Sequence, residues 1–373
     1  MKILILGGTG AMGVSLVEIL ANTSNEMYVT SRSKRVSKNN NVHYLTGNAQ
    51  DKCFINNILK EKFDVIVDFM IYSKEVFEER VNLFLSSTDQ YMYLSSSRVY
   101  AECDGKITEN SPRLLDVCTD KEYLITDEYA LLKAREENIL FSSNKKNWTI
   151  IRPYITYNTE RIQLGIFEKE HWLQRALNGK SILFPKDIAS KITTLTYGYD
   201  VAYAMFKLIG NPKAYGEAFH ITTDENKTWD DILRLYLDII EEKTGKRPKV
   251  KYLENSKPLL KIWGKYQIYF DRLYNRKFDN SKINKACGKN ISYTSLEDGI
   301  RNSLVTFIDE ERKFLSYPIK TEAYFDKITK ENTPLKEFKS NKDRLKYFVY
   351  RYTFYFNCPK VLKNGLSAKS YWK

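Results

Sequence analysis

The sequence predicts an α/β fold built on a doubly wound parallel sheet, and two observations lead to this prediction. Short apolar runs alternate with amphipathic stretches through residues 1–158, a pattern typical of β-α units whose parallel sheet is covered on both faces. The first apolar run, residues 2–6, leads directly into a glycine-rich turn, GGTGAMG, at residues 7–13. A glycine turn between a strand and a helix is typical of sheets that bind a dinucleotide.

The elements of the first half follow from this alternation. The predicted strands are Lys2–Leu6, Glu26–Thr30, Val42–Leu45, Asp64–Phe69, Gln90–Ser95 and Trp148–Arg152. Apolar residues at helical spacing predict helices between several of them. These helices are Met12–Ala21, Lys52–Lys60, Glu75–Ser86 and Asp127–Phe141.

Residues 159–312 have a different pattern, which mixes longer helices with short strands and predicts a smaller substrate-binding region. The helices are Lys169–Asn178, Tyr199–Leu208, Thr228–Thr244 and Ser295–Glu311, and the strands are Ser181–Phe184, Ala218–Ile221 and Lys249–Tyr252. We therefore expect a dinucleotide-binding domain at 1–158, a substrate region at 159–312 with segments that can return to the first domain, and an extension at 313–373.

The extension is basic and aromatic, with its densest stretch, RLKYFVYRYTFYF, at residues 344–356. As a strand it would place Tyr350, Tyr352 and Phe354 on one face, and as a helix it would be aromatic nearly all round. One interpretation is an added element that packs on the core or on another subunit. The other is a contact with a membrane surface or a partner enzyme.

Composition narrows the class of protein. The chain has 373 residues, of which 43% are hydrophobic, so it can form a sizeable core. A net charge of +13 is consistent with an anionic partner or with a solvated lysine-rich surface, and both interpretations stay open. The five cysteines are odd in number and contain no CxxC, which argues against a disulfide framework or a zinc site. Without a signal peptide or an apolar run of spanning length, we expect a cytoplasmic protein that binds no metal.

In the turn at residues 7–13, glycine permits a tight turn, close backbone approach to a pyrophosphate, and close packing of helix on sheet. The helix that begins near Ala11 would direct its N–H groups and positive dipole end at the phosphates. The alternative is a glycine turn with no ligand.

The segment after the second strand indicates which dinucleotide is bound. A carboxylate there would bind the adenosine ribose hydroxyls, but this chain continues with SRSKR at residues 31–35. Ser31 and Arg32 occupy the position of a 2′-phosphate, and a guanidinium can bind two phosphate oxygens. We therefore expect NADP, with NAD as the alternative, unless this is a solvated basic loop. Asp51 is a candidate for the adenine amino group.

A Tyr-x-x-x-Lys pair, Tyr129 and Lys133, follows in the predicted helix 127–141. The spacing places both residues on one helix face. An ammonium near a phenol favours the phenolate, so the tyrosine could exchange a proton with a substrate hydroxyl near neutral pH. A serine from YLSSSRVY at residues 93–100 could hydrogen-bond the same oxygen, and beside a nicotinamide these groups would support hydride transfer.

With these motifs in order, residues 1 to about 312 resemble the short-chain dehydrogenase/reductase superfamily, in its extended NAD-dependent epimerase/dehydratase branch. GGTGAMG, YLSSSRVY, YALLK, IIRPYITY, TTLTYGYDVAYAM and GEAFHITTDENKTWDDI carry the resemblance, as do FDNSKINK and LEDGI. It implies a Rossmann-type domain, a catalytic serine four residues before Tyr100, which is Ser96, and the catalytic pair Tyr129 and Lys133. It also implies that segment 153–156 runs beside the nicotinamide and that the protein is a homodimer.

The candidate site residues fall into two groups beyond Ser96. The positions assigned to cofactor binding are Gly7, Thr9, Gly10, Ala11, Met12, Gly13, Ser31, Arg32, Asn48, Asp51, Phe69, Tyr129, Lys133, Pro153 and Thr156. Those assigned to substrate binding are Ser97, Arg98, Tyr154, Arg161, His171 and Arg175.

Three departures from the family pattern restrict the function. Many dehydratases of this branch carry an Asp-Glu pair after the catalytic hydroxyl residue, whereas Ser97 and Arg98 follow Ser96 here, so dehydration is disfavoured. Ile155 replaces an asparagine that is common in enzymes acting on nucleotide sugars, and Asn158 stands where glycine is usual. The fourth strand ends in VDFMIYS, as in atypical members that include RNA-binding relatives.

These features together predict an epimerase or ketoreductase that transfers a hydride at a sugar carbon of a nucleotide-activated sugar, in bacterial-type glycan precursor synthesis. Net reduction and epimerisation would use the same residues, so both stay open. The alternative is an RNA-binding or regulatory protein that keeps the fold, supported by the net charge and the basic aromatic extension. We disfavour a nucleic-acid partner because all three catalytic positions are present.

Overall fold

The computed structural model describes residues 1–288, 291–353 and 355–357, which form two compact units. The first unit comprises residues 1–162, 191–228 and 269–307. The second comprises 163–190, 229–268 and the described part of 308–373. Segments 191–228 and 269–307, which lie in the predicted substrate region, thus belong to the same unit as the N-terminal residues.

The strands and helices are numbered in chain order. The strands are β1 Lys2–Leu6, β2 Glu26–Ser31, β3 Val42–Thr46, β4 Phe63–Asp68, β5 Thr88–Leu94, β6 Trp148–Pro153, β7 Ile155–Tyr157, β8 Ile182–Pro185, β9 Ile192–Thr193, β10 Leu195–Tyr197, β11 Glu217–Ile221, β12 Lys227–Thr228 and β13 Val250–Leu253. The α-helices are α1 Ala11–Ala21, α2 Lys52–Ile58, α3 Lys74–Ser86, α4 Leu114–Val117, α5 Lys121–Leu124, α6 Tyr129–Ser142, α7 Lys169–Leu177, α8 Lys186–Ala189, α9 Gly198–Leu208, α10 Trp229–Thr244, α11 Lys265–Gln267, α12 Ser281–Ala286, α13 Leu296–Asp309, α14 Ile319–Thr329 and α15 Asn341–Tyr352.

The first unit is built on a seven-stranded sheet in the order β11-β6-β5-β4-β1-β2-β3. Every pairing in this sheet is parallel, so the predicted α/β class and doubly wound parallel sheet are confirmed. The strand order reverses at β1, which lies between β2 and β4. Ligands of such sheets bind beyond the carboxyl ends of the strands at this reversal, which is where the turn at residues 7–13 follows β1.

Both faces of the sheet are covered, because the apolar side chains of β1 point alternately to one face and to the other. Ile3 and Ile5 pack into a core with apolar residues of α1 and α9. Leu4 and Leu6 point to the opposite face and pack with residues of α2, α3 and α6. Successive strand residues face opposite sides of a sheet, so four consecutive apolar residues indicate a strand that is buried on both faces.

The starts of α3 and α6 differ from the predicted ones by one and two residues, and in both helices a side chain caps the observed start. The Ser73 hydroxyl accepts a hydrogen bond from the Val76 N–H at 3.4 Å, so α3 begins at Lys74. The Glu128 carboxylate accepts from the Ala130 N–H at 2.8 Å, so α6 begins at Tyr129 rather than at Asp127. Such caps satisfy N–H groups that have no partner within the helix.

In the second unit, β8 and β13 form a two-stranded parallel pair. The aromatic stretch of the extension is helical in α15, and the buried Tyr347 packs against Phe338 of the preceding turn. Phe354 lies outside the described residues. Among the described residues, no helix combines the length and the apolar character needed to cross a membrane.

A buried ionic cluster joins α7 to α14. Arg175, 1% exposed, forms ion pairs with Glu322, Asp326 and Glu331 at 2.7, 2.9 and 2.9 Å. Lys180 also contacts Asp326, at 2.6 Å. These ion pairs show a structural role for Arg175 in holding the extension, and the predicted substrate contact of Arg175 stays a prediction.

We expect Arg175→Met to lower the free energy of unfolding by about 3–5 kcal/mol, because it leaves buried carboxylates short of a cation. The matched control is Lys186→Met, since Lys186 pairs with Glu254 at the surface and should contribute within about 1 kcal/mol. Urea unfolding of the full chain measures both. Equal small losses would contradict a structural role for this cluster.

Candidate active site

The turn at residues 7–13 has the geometry of a phosphate-binding turn. Gly7 has a φ of +72°, which favours glycine. A Cβ on Gly13 would lie 2.7 Å from the Gly8 backbone, so only glycine lets α1 approach this closely. A Cβ on Gly10 would meet nothing within 4 Å, and no side chain caps α1. The N–H groups of the first turn of α1 therefore fit an anionic group.

Thr9 and Met12 belong to this same turn and to the start of α1, and both are partly exposed. Phe69 follows β4, and its N–H donates to the Leu6 carbonyl at 3.0 Å. The carboxyl ends of β1 and β4 therefore meet beside Gly7.

The residues predicted to meet the adenosine half have local contacts. The buried Ser31 hydroxyl donates to the Ser33 carbonyl at 2.8 Å, whereas Arg32 is exposed. Asp51 caps α2 by accepting from the Phe54 N–H at 2.8 Å. The Asn48 side chain accepts from the Gln50 N–H at 3.0 Å. Arg32 is therefore the first of three exposed cations after β2, followed by Lys34 and Arg35.

The three serines after β5 have different environments. The Ser96 hydroxyl accepts from the Arg98 N–H at 3.2 Å and caps the 3-10 turn Ser97–Val99. Ser97 is fully buried, and its hydroxyl donates to the Arg152 carbonyl at 2.7 Å. This bond joins the turn to β6, and the predicted substrate contact of Ser97 stays a prediction.

Tyr129 is the first residue of α6. This helix contacts the turn at residues 95–99, which we call the serine turn. The Arg98 guanidinium carbon is 5.3 Å from the centroid of the Tyr129 ring. Glu128, which precedes Tyr129, forms an ion pair with Arg98 at 2.5 Å. Within residues 1–288, 291–353 and 355–357, the Tyr129 hydroxyl makes no hydrogen bond. The fold thus brings Ser96 and Tyr129 to one edge of the sheet and leaves the phenol available.

Lys133 points toward β5. It is 1% exposed, and its ammonium donates to the Tyr93 hydroxyl at 2.8 Å and pairs with Glu136 at 3.2 Å. Tyr93 also donates to Glu136. Burial raises the pKa of the Glu136 carboxyl. The lysine lies on the predicted helix face, and its observed contacts are with this buried pair.

Glu137, also on α6, makes the strongest link between that helix and the sheet. Arg152 of β6 donates to both Glu137 oxygens at 2.7 Å. Ser95 donates to Glu137 at 2.6 Å, and Arg113 donates to it at 3.2 Å. Arg152 also donates to the Tyr100 hydroxyl at 2.9 Å. One buried carboxylate therefore holds α6, β6 and the start of the serine turn together.

Asp68 is a buried site residue that sequence reasoning missed. It ends β4 and accepts hydrogen bonds from the Tyr91 hydroxyl at 2.8 Å, the Tyr72 hydroxyl at 3.1 Å and the Met70 N–H at 2.9 Å. Burial raises the pKa of Asp68 to about 6. The available signal was a carboxylate at the end of an otherwise apolar strand.

Tyr154 belongs to a second unforeseen cluster, centred on the buried Asp271. The Tyr154 hydroxyl donates to Asp271 at 3.1 Å. Asp271 also pairs with Arg272, with Arg276 at 3.3 Å and with Arg98 at 3.5 Å. Nothing in the local sequence indicates that three guanidinium groups share this carboxylate.

The remaining predicted residues are dispersed. Pro153 ends β6 and Thr156 lies in β7, and both are buried. Arg161 lies in the first unit, where its N–H donates to the Asn158 side chain at 3.0 Å. His171 belongs to the second unit, and its ring centroid is 4.7 Å from that of Trp263. Across the described part of the chain, no group of three or more His, Cys, Asp or Glu side chains could hold a metal ion.

Comparison with known proteins was made for families, curated sequences and solved structures. No family model matches the chain. The chloroplast stem-loop binding protein of 41 kDa b from Arabidopsis thaliana is 29% identical over 251 residues. The match covers 62% of this chain and 61% of the relative, so it spans less than two thirds of that protein's length.

Solved structures match over more of the chain. The UDP-glucuronic acid 4-epimerase of Bacillus cereus, in complex with UDP-glucuronic acid and NAD, has a TM-score of 0.63 and 16% identity over 84% of this chain and all of that one. The Bordetella bronchiseptica enzyme WbmH, in complex with NAD+, has a TM-score of 0.61 and 15% identity over 83% and 98%. These likenesses show the fold, which is the one that the resemblance to extended short-chain dehydrogenase/reductases implies.

The raised pKa of Asp68 predicts a pH dependence of stability. Between these two pKa values, the ordinary 3.8 of the unfolded chain and about 6 in the folded protein, the Asp68 carboxyl is protonated in the folded protein and ionised in the unfolded chain. Its contribution to stability is full below a pH of 3.8 and is lost as the pH rises through about 6. We expect the unfolding free energy of the unaltered protein to fall by about 2–3 kcal/mol relative to Asp68→Asn between about pH 4 and about pH 7.

Urea unfolding at both pH values measures this difference. Asp89→Asn is the control, because Asp89 lies at the surface and pairs with Lys62. Parallel pH profiles for the unaltered protein and Asp68→Asn would show that the buried carboxyl does not titrate in this range.

Proposed function

We propose that the chain is an NAD(P)-dependent epimerase or ketoreductase that transfers a hydride at a sugar carbon of a nucleotide-activated sugar. The observation that carries the proposal is the set of groups at the carboxyl ends of β1 and β5 in the seven-stranded sheet. A glycine turn with open helix N–H groups follows β1 there. Ser96 follows β5 and caps the turn of Arg98, whose guanidinium lies over the Tyr129 ring. The UDP-glucuronic acid and NAD bound by the Bacillus cereus epimerase support both ligand classes.

In this proposal the bound dinucleotide and the residues of the chain have separate roles in the oxidation of a carbinol or the reduction of a ketone. The bound dinucleotide supplies or accepts the hydride. The Tyr129 hydroxyl exchanges a proton with the reacting oxygen, and the Ser96 hydroxyl holds that oxygen by a hydrogen bond. Lys133 stays assigned to Tyr129 and to the cofactor ribose. Reaching either group requires its ammonium to exchange the contacts with Tyr93 and Glu136.

We assign NADP as the cofactor because Arg32 is an exposed cation directly after β2, where a 2′-phosphate would lie. NAD remains the alternative, and the two solved structures compared above carry it. A homodimer in the cytoplasm and a role in bacterial-type glycan precursor synthesis are also part of the proposal. Epimerisation and net reduction remain alternatives within it.

We expect Tyr129→Phe to lower turnover by roughly 10²–10⁴-fold, because it removes the proton donor and acceptor and leaves the ring. Turnover is measured with a panel of nucleotide sugars. Dinucleotide binding, titrated with NADP and NAD, should be retained, with NADP bound more tightly. Tyr199→Phe, a change at an exposed tyrosine of α9, is the control. Undiminished turnover in Tyr129→Phe would reject the assigned mechanism.

RNA binding is the second candidate, because the curated relative is named for binding a stem-loop. An RNA-binding protein of charge +13 should lose affinity steeply as salt rises, since it releases counterions from phosphates. We expect no salt-dependent binding of a stem-loop RNA at micromolar protein. Tight binding with a steep salt slope, unaffected by Tyr129→Phe, would favour this candidate over the enzyme.

A further inference from the structure

Arg98 has more hydrogen-bonding capacity than its surroundings use. A guanidinium carries five N–H donor hydrogens. The Arg98 side chain makes one hydrogen bond within the described ranges, to Glu128. Its Nε is buried and makes no hydrogen bond there, although it forms an ion pair with an Asp271 oxygen 3.5 Å away. A buried donor without an acceptor is costly, so an acceptor supplied by a ligand would stabilise this arrangement.

The charge around Arg98 also favours an anion. Asp271 carries one negative charge and is shared by Arg98, Arg272 and Arg276. Burial and the positive charges of Arg98 and Arg161 lower the pKa of Arg272. Glu128 adds a second carboxylate, which pairs with Arg98 at 2.5 Å. Three guanidinium groups thus face two carboxylates, so the local charge beside Arg98 is positive, although its side chain is only 16% exposed.

The position of Arg98 indicates which part of a substrate it would meet. It follows Ser96 by two residues in the same short turn, and its guanidinium lies over the Tyr129 ring. Both neighbours are assigned above to the reacting oxygen. A substrate group bound by Arg98 would thus lie near the reacting carbon of the sugar. If that carbon is carbon 4, the diphosphate on carbon 1 is attached at the other end of the sugar ring.

We propose that Arg98 binds a carboxylate on the substrate sugar, so that the substrate class is a nucleotide-activated hexuronic acid. This inference rests on the proposed function. A planar guanidinium matches a carboxylate with two parallel hydrogen bonds. In a hexuronic acid that reacts at carbon 4, the carboxylate is attached to the adjacent carbon 5, which brings it close to the reacting oxygen.

The test measures dissociation constants of matched sugar pairs on the full chain saturated with NADP. The probes are UDP-glucose with UDP-glucuronic acid, and GDP-mannose with GDP-mannuronic acid. We expect one acidic sugar to bind about 10-fold or more tightly than its neutral partner, the size of a hydrogen-bonded pair between ions. In Arg98→Gln this preference should fall to within about 3-fold, with binding of the neutral sugar unchanged.

Each result has a distinct meaning. If both members of a pair bind equally to the unaltered protein, the acidic-sugar inference is overturned while the proposed function stands. If the chain binds NADP but none of the sugars, the proposed function and the inference both fail. An acidic preference that persists in Arg98→Gln would overturn the role of Arg98.

Two further variants separate recognition from folding. Arg98→Lys keeps the charge and should retain part of the preference. Arg135→Gln removes an arginine of the neighbouring helix α6, one that pairs with Asp127, and should leave the preference intact. Melting temperatures of all variants identify any that fail to fold, and Arg98→Lys then still tests the inference. An acidic preference lost equally in Arg135→Gln would show a general effect on α6.

Discussion

The buried pair between Arg152 and Glu137 is the interaction on which the geometry of the candidate site depends. It joins the centre of α6 to β6 by two hydrogen bonds of 2.7 Å. Ser95, directly after β5, donates to the same carboxylate. Removing either charge would leave the other short of its closest ionic partner in the interior, where an uncompensated ion costs several kcal/mol. The pair thereby fixes the start of α6, which carries Tyr129, relative to the strand end that carries Ser96.

Polar groups beneath the site are paired, whereas two side chains at the edge keep donors or acceptors that make no hydrogen bond. The buried Glu137 pairs with the buried Arg152 of β6, and the buried Lys133 donates to the Tyr93 hydroxyl of β5. Tyr129 and Arg98, at the edge, keep a hydroxyl and a buried N–H without hydrogen bonds in the described structure. Fixed groups below and available groups above are what a site needs if it is to hold a reacting oxygen without rearranging. This contrast supports the assignment of chemistry to the edge.

The fold was predictable from the sequence because its signals are local. The alternation of Ile3 to Leu6 specifies a two-faced buried strand, and the spacing of Tyr129 and Lys133 specifies a shared helix face. Glycine was required at Gly7 by its positive φ and at Gly13 by close packing, and both were expected. The direction of Lys133 was not predictable, since it depends on Tyr93, forty residues earlier in the chain.

The charged clusters were not predictable for the same reason. Arg175 was expected at the substrate, but its partner Asp326 lies 151 residues away along the chain. A basic residue in an amphipathic helix gives no local sign of which distant carboxylate it will meet. Asp271 and its three arginines are likewise assembled by the fold, and the donors that Arg98 keeps open become evident only when all their neighbours are in place.

A crystal structure of the full chain grown with NADP tests the central claim most directly, because it locates the cofactor without knowledge of the substrate. We predict that the pyrophosphate contacts the turn at residues 7–13 and that the nicotinamide ring lies beside Tyr129. A dinucleotide bound elsewhere, or a nicotinamide remote from Tyr129 and Ser96, would contradict a redox site at this edge of the sheet.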